Sequence, residues 1–171
     1  MHSPPDPETG DDVVKDKQEF WKMLSSFKVA MLTTHDGQDI RSRPMAPHFD
    51  EGEHVVRFLS NADAPKTDEI AEERHVNLTF ANESTNDFAS LSGIATQSQD
   101  RAMIKELWDA YADAWFDGDA ETADVVVITF RPSEGQYWDS TGSSILHAFE
   151  LVRTKVTGGK PNVGESGKIT F

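Results

Sequence analysis

An Asp-Gly pair at positions 36 and 37 separates "KVAMLTT", a short apolar run, from "IRSRPMAPHF", a run that reads with period two. Asp-Gly between two extended runs calls for a tight hairpin, because both residues tolerate the positive-φ turn that matches strand twist. A second turn, "DEGE", leads into a third extended run, "HVVRFLSN". Turns this tight join only antiparallel neighbours, which excludes a doubly wound parallel sheet.

The remaining segments extend the same pattern. Phe20, Leu24 and Phe27 form a helical stripe ahead of the first strand. "DAPKTDEIAEER" has Pro at its start and acidic early turns, as a short helix should. "HVNLTFAN" and "FASLSGIATQS" read as strands. "DRAMIKELWDAYADAW" reads as one amphipathic helix with Ile104, Leu107, Trp108, Tyr111 and Trp115 on one face, a stripe for a core or a dimer contact. "DVVVITFRP" is a β-branched buried strand that runs on towards "GQYWDS". The last stretch predicts a helix carrying Ile145, Phe149, Val152 and Val156, a glycine-rich loop and a closing strand.

The expected fold class is therefore α+β, about six antiparallel strands curled into a small barrel with peripheral helices. Residues 13–171 form a single domain, and the Pro-rich acidic residues 1–12 are a flexible tail.

Composition narrows the chemistry. The absence of cysteine excludes disulfides, thiolate metal sites and thiol nucleophiles. With 16 basic and 30 acidic residues the formal net charge is −14, so neither nucleic acid nor an anionic membrane is expected as a partner. No signal peptide or long apolar run stands out, and a cytoplasmic location is expected. In so acidic a chain a local cluster of cations points to a small anion.

Two such clusters exist. Arg41, Arg43 and Met45 share one face of the second strand, while Pro44 cannot donate to a sheet ladder and marks an edge or a bulge. Ser60 and Asn61 end the third strand, and Pro65-Lys66 open a helix whose free N–H groups and dipole favour an anion. Hairpin geometry is expected to set these two strands side by side.

Other features carry less. "GGKPNVGESGK" lacks the Ser or Thr and the following helix of a phosphate-binding loop. "DGDAETAD" lacks the spacing of a calcium loop, and no two histidines have zinc-ligand spacing. His48 follows the arginine-bearing strand.

The ordered runs "VAMLTTHDGQDIRSRPM", "DEGEHVVRFLSNADAPKTDEI", "HVNLTFAN", "SLSGIATQSQD", "LWDAYADAWFDGD" and "EGQYWDS" resemble the pyridoxamine-5′-phosphate-oxidase-like flavoproteins, specifically their general-stress-protein branch. The resemblance implies a split β-barrel homodimer with FMN at the subunit interface. Carried onto matching positions, Arg43 and Lys66 would hold the phosphate with help from Arg41. Pro44, Met45 and Ala46 would lie along the ring, Ser60 and Asn61 would bond the phosphate or ribityl chain, and Trp138 would approach the flavin from either subunit.

The chain departs from the pyridoxamine phosphate oxidases themselves. It has no arginine after Arg153, and Pro47 or His48 stands where they carry a further basic residue. The implied function is a flavoprotein, either a flavin-dependent oxidoreductase of a small molecule or a non-catalytic store or sensor. Haem or a deazaflavin is the alternative ligand for such a barrel.

Overall fold

A computed structural model describes residues 17–139 and 165–171. The expected tail and the expected helix around Ile145–Val156 with its glycine-rich loop lie outside the described residues. The chain runs α1 (Lys17–Leu24), β1 (Ala30–His35), β2 (Ile40–Met45), β3 (His48–Asp50), β4 (Val55–Asn61) and α2 (Pro65–Glu72). It continues as β5 (His75–Asn82), β6 (Asp87–Ser98), α3 (Arg101–Leu107), α4 (Ala110–Trp115), β7 (Val125–Asp139) and β8 (Glu165–Thr170). Among the described residues no helix is long and apolar enough to cross a membrane.

All strand pairs are antiparallel, in the order β2-β1-β5-β6-β7-β4-β3 with β8 also on β7. The Asp-Gly hairpin forms as expected: Gly37 sits at φ +95° and β1 pairs β2 from Ala30↔Met45 to His35↔Ile40. Eight strands result among the described residues where about six were expected for the barrel. The closing strand expected at the C-terminus is the short β8. An unexpected strand arises because "IRSRPMAPHF" is broken between Met45 and His48, so that β2 pairs β1 and β3 pairs β4. Pro47 offers no N–H and forces Ala46 into an extended conformation, which stops one ladder and starts another. β2 and β3 are thus the two ends of the sheet path joined by two residues, and that link curls the sheet into a split barrel. The expected side-by-side pairing of the arginine strand with "HVVRFLSN" does not occur.

The helix expected across residues 100–115 is also broken. Asp109 accepts a hydrogen bond from the Ala112 N–H at 2.9 Å and caps α4 as a new helix. The aromatic stripe breaks with it. Ile104 is buried and Leu107 and Trp108 pack beside it, whereas Tyr111 and Trp115 stack on each other at 5.7 Å in solvent.

Two apolar clusters flank β7. Val126, Ile128 and Phe130 face the barrel interior with Leu32, Leu78, Leu91 and the α1 residues Phe20, Trp21 and Leu24. Val125 and Val127 face the other way, under Ile104 and Phe116. Burial on both faces explains the unbroken apolar run of this strand. At the β6–β7 bulge a Cβ on Gly93 would stand 2.3 Å from the Arg131 carbonyl oxygen. Gly93→Ala should therefore lower the unfolding free energy by about 1–3 kcal/mol. Urea denaturation measures it, and an unchanged midpoint would contradict the close approach.

Candidate functional site

The deepest polar cluster lies where β1, β2 and α2 meet. In the β1–β2 register Arg43 is opposite Leu32 and diagonal to Thr34, so its side chain shares the inward face of both. Thr34 is 2% exposed and Glu69, on α2, 8%. Arg43 Nη2 donates to Glu69 Oε2 at 2.8 Å, Arg43 Nη1 donates to Thr34 Oγ1, and the Thr34 hydroxyl donates to the same Glu69 oxygen.

Lys66 stands one turn before Glu69 on the same helix face. Burial pushes its amine below the ordinary lysine value, the Arg43 charge pushes it further, and Glu69 partly offsets both. Two cations thus sit half-buried around one carboxylate. Lys66 makes no salt bridge among the described residues.

The start of α2 lies beside this cluster, with the Thr67 N–H donating to the Ala64 carbonyl at 2.9 Å. Pro65 takes the first turn, and the N-cap residue Ala64 has no side chain to offer the free N–H groups. The Asn61 carbonyl accepts from Ala64 N–H at 3.2 Å, and the Thr67 hydroxyl donates to the Ala62 and Ala64 carbonyls at 2.9 and 2.6 Å. These bonds aim the helix N-terminus from the end of β4. Ser60 is buried there and donates to the Asn61 carbonyl at 3.1 Å, while Asn61 is exposed.

The other residues singled out by the sequence are placed differently. Arg41 is tied to Asp36 at 2.7 Å with its side chain 58% exposed. It lines a hollow of about 320 Å³ whose other charged groups are Asp36, Asp68, Glu69 and Glu72, an acidic setting that opposes an anion. Pro44 is exposed on the outer face of β2, Met45 packs against the core, and Ala46 lies half-buried at the bend. The outer edge of β2 pairs with no strand among the described residues, so alternate backbone N–H and C=O groups there are open. His48, just past the bend, is half-buried, and that burial lowers its pKa against the opposing charge of Asp109.

Trp138 does not join the Arg43–Lys66 cluster within one chain. It pairs Phe88, which pairs Ala81, while the alternating residues Tyr137, Ala89 and Phe80 point into the core. Trp138 therefore faces outward, 40% exposed, on the opposite side of the sheet from Arg43. The sequence reading missed Glu69 and Thr34. The Lys66-to-Glu69 helical spacing was a signal for the first, but a glutamate in so acidic a chain does not stand out.

The family is decided by comparison with known proteins. Residues 15–162 match the family model described as "Pyridoxamine 5'-phosphate oxidase like". The chain belongs to that family. It is 28% identical over 158 residues to Protein bli-3 of Neurospora crassa, covering 86% of this chain and 76% of that protein. A candidate general stress protein 26 from Jannaschia sp. CCS1 superposes with a TM-score of 0.74 at 28% identity, over 90% of this chain and 97% of its own. The general stress FMN/FAD binding protein of Xanthomonas citri superposes with a TM-score of 0.66 at 26% identity, over 74% and 90%. This member of the family keeps the curled antiparallel sheet of those structures.

The strain on Lys66 has a measurable consequence. Its pKa is lower in the folded than in the unfolded chain, so the unfolded state binds more protons. The folded protein then gains stability as pH rises from the lowered value towards the ordinary 10.5. Lys66→Met should raise the melting temperature of the ligand-free protein at neutral pH, with an advantage that shrinks through that window. Thermal melts of the pair across pH test this, and a constant difference would contradict the placement of the lysine.

Proposed function

We propose that this chain binds FMN, holding the 5′-phosphate between Arg43, Lys66 and the N-terminus of α2. The half-buried cation pair with a single carboxylate between its members is the observation that carries this reading. A phosphate dianion supplies the missing negative charge, and the positive end of the α2 dipole adds to the attraction. The flavin-binding relative from Xanthomonas citri favours a flavin over other planar anions.

The ring would lie along Met45 and Ala46 at the open edge of β2, where backbone groups can meet its polar rim, with Ser60 and Asn61 towards the ribityl chain. Bound FMN would supply two-electron and hydride chemistry. The residues of this chain would anchor and orient it, and Met45 with the neighbouring core would exclude water. The finer reading is a flavin-dependent oxidoreductase of a small molecule. Reduction of the FMN-loaded protein by NADPH, then reoxidation by an added acceptor over many cycles, tests it. A flavin that stays oxidised under every donor would make the protein a store or sensor.

We further propose a homodimer. Val29, Met31, Thr79, Phe88, Ser90 and Trp138 line an outward concavity of about 410 Å³ that contains no charged residue. In a two-fold contact each surface meets its own copy, so most of a chain with a formal charge of −14 repels itself. An uncharged apolar face is the part able to self-associate, and it would carry Trp138 towards the flavin of the partner subunit.

Two outcomes are expected. Lys66→Ala should weaken FMN binding by about 1.5–3 kcal/mol and leave riboflavin binding nearly unchanged. Fluorescence titration measures both, and equal losses for the two ligands would displace the phosphate from this site. Met31→Glu should raise the dimer dissociation constant by roughly two orders of magnitude or more, because it buries unpaired carboxylates. Light scattering during size exclusion reads the mass, and an intact dimer would move the interface elsewhere.

A further inference from the structure

We infer that Glu69 is a positioning residue of the anion site, which orients Arg43 and maintains the charge on Lys66. This inference rests on the phosphate reading above.

The geometry supports orientation first. A guanidinium has five N–H donors in a rigid planar fork. Here one donor on Nη2 is taken by Glu69 at 2.8 Å and one on Nη1 by Thr34. The Thr34 hydroxyl hydrogen is itself committed to Glu69, so that oxygen can only accept from the arginine. Two points of attachment set the plane of the guanidinium and leave three N–H groups for a ligand. Because Glu69 and Lys66 share one helix face, the helix that presents one cation also steers the other.

Charge is the second role. Arg43 from β2 and Glu69 from α2 are the charged groups acting on Lys66. The strands packed under α2 contribute Thr34 from β1 and Gln97 from β6, which donates to the Thr67 carbonyl at 3.1 Å, and neither titrates. Asp36, Arg41, Asp68 and Glu72 border the neighbouring hollow, and His35 at the end of β1 acts on Glu73. Without the Glu69 charge, two adjacent half-buried cations would repel with nothing between them, and Lys66 would release its proton at lower pH. A glutamate that only tethered α2 to the sheet would have neither effect.

The experiment is a pH series of fluorescence titrations of the wild-type protein and Glu69→Gln with FMN and with riboflavin. The affinity ratio of the two ligands cancels ionisation of the ring that they share. The expected result is a wild-type preference for FMN that falls away at alkaline pH as Lys66 deprotonates. In Glu69→Gln that fall should come at lower pH, and the neutral-pH preference should narrow roughly tenfold, the order of one misdirected charge-assisted hydrogen bond.

Thr34→Val gives an independent arm, should Glu69→Gln fail to fold. It removes one hold on the guanidinium and should narrow the preference without moving the alkaline fall. A wild-type protein that binds both ligands equally would sink the phosphate reading itself. A wild-type preference with an unmoved alkaline fall in Glu69→Gln, or a preference that widens, would overturn this inference alone. With Thr34→Val as the only folded variant, an unchanged preference would overturn it.

Discussion

The bend between Met45 and His48 is the constraint on which the rest of the molecule depends. It carries the chain from one end of the sheet path to the other, so that β2 closes against β1 and β3 against β4. Without that crossing the sheet would be an open meander, and its apolar inner face would lack walls on two sides. Proline supplies the break cheaply: Pro47 cannot donate, and it keeps the residue before it extended. Pro44 sits opposite Met31 on a strand whose other side pairs with no strand among the described residues, where a missing N–H does least harm.

Curling the sheet also places the cations. Arg43 enters at the edge of β2, and α2 packs over β1 and β6, so the helix start arrives beside the arginine from a different part of the chain. Half-burial there makes each charge costly and each partner valuable. Glu69 and Thr34 offset part of that cost for Arg43, but Lys66 remains depressed by burial and by its neighbour. A folded state that keeps two cations in such a position does so at some expense of its own stability.

The two faces of the sheet divide the remaining tasks. The inward face holds the large apolar cluster with α1 across it, while part of the outward face is covered by α3 and α4 and part is left open around Trp138. Because successive residues of a strand alternate in direction, Trp138 and Arg43 project from opposite faces of the sheet. The stacked Tyr111 and Trp115, at 67% exposure for the tryptophan, show the same rule on a smaller scale. An apolar stripe becomes core only where the helix that carries it continues.

Local chemistry settled much in advance. Asp36-Gly37 specified a hairpin, Pro44 an edge or a bulge, Pro65 a helix start, and the β-branched run at 125–128 a buried strand. Each of these rests on backbone preferences or on short-range periodicity, which act within a few residues. The charge on Arg43 and Lys66 was legible too, because cations stand out in an acidic chain. What needed the tertiary structure was pairing. That the strand of Arg43 breaks before reaching β4, that Arg41 spends its charge on Asp36, that Glu69 grips Arg43, and that Trp138 faces away all depend on how distant segments meet. Such meetings are decided by closure of the barrel and by competition among burial, repulsion and hydrogen bonding, none of which a local pattern records.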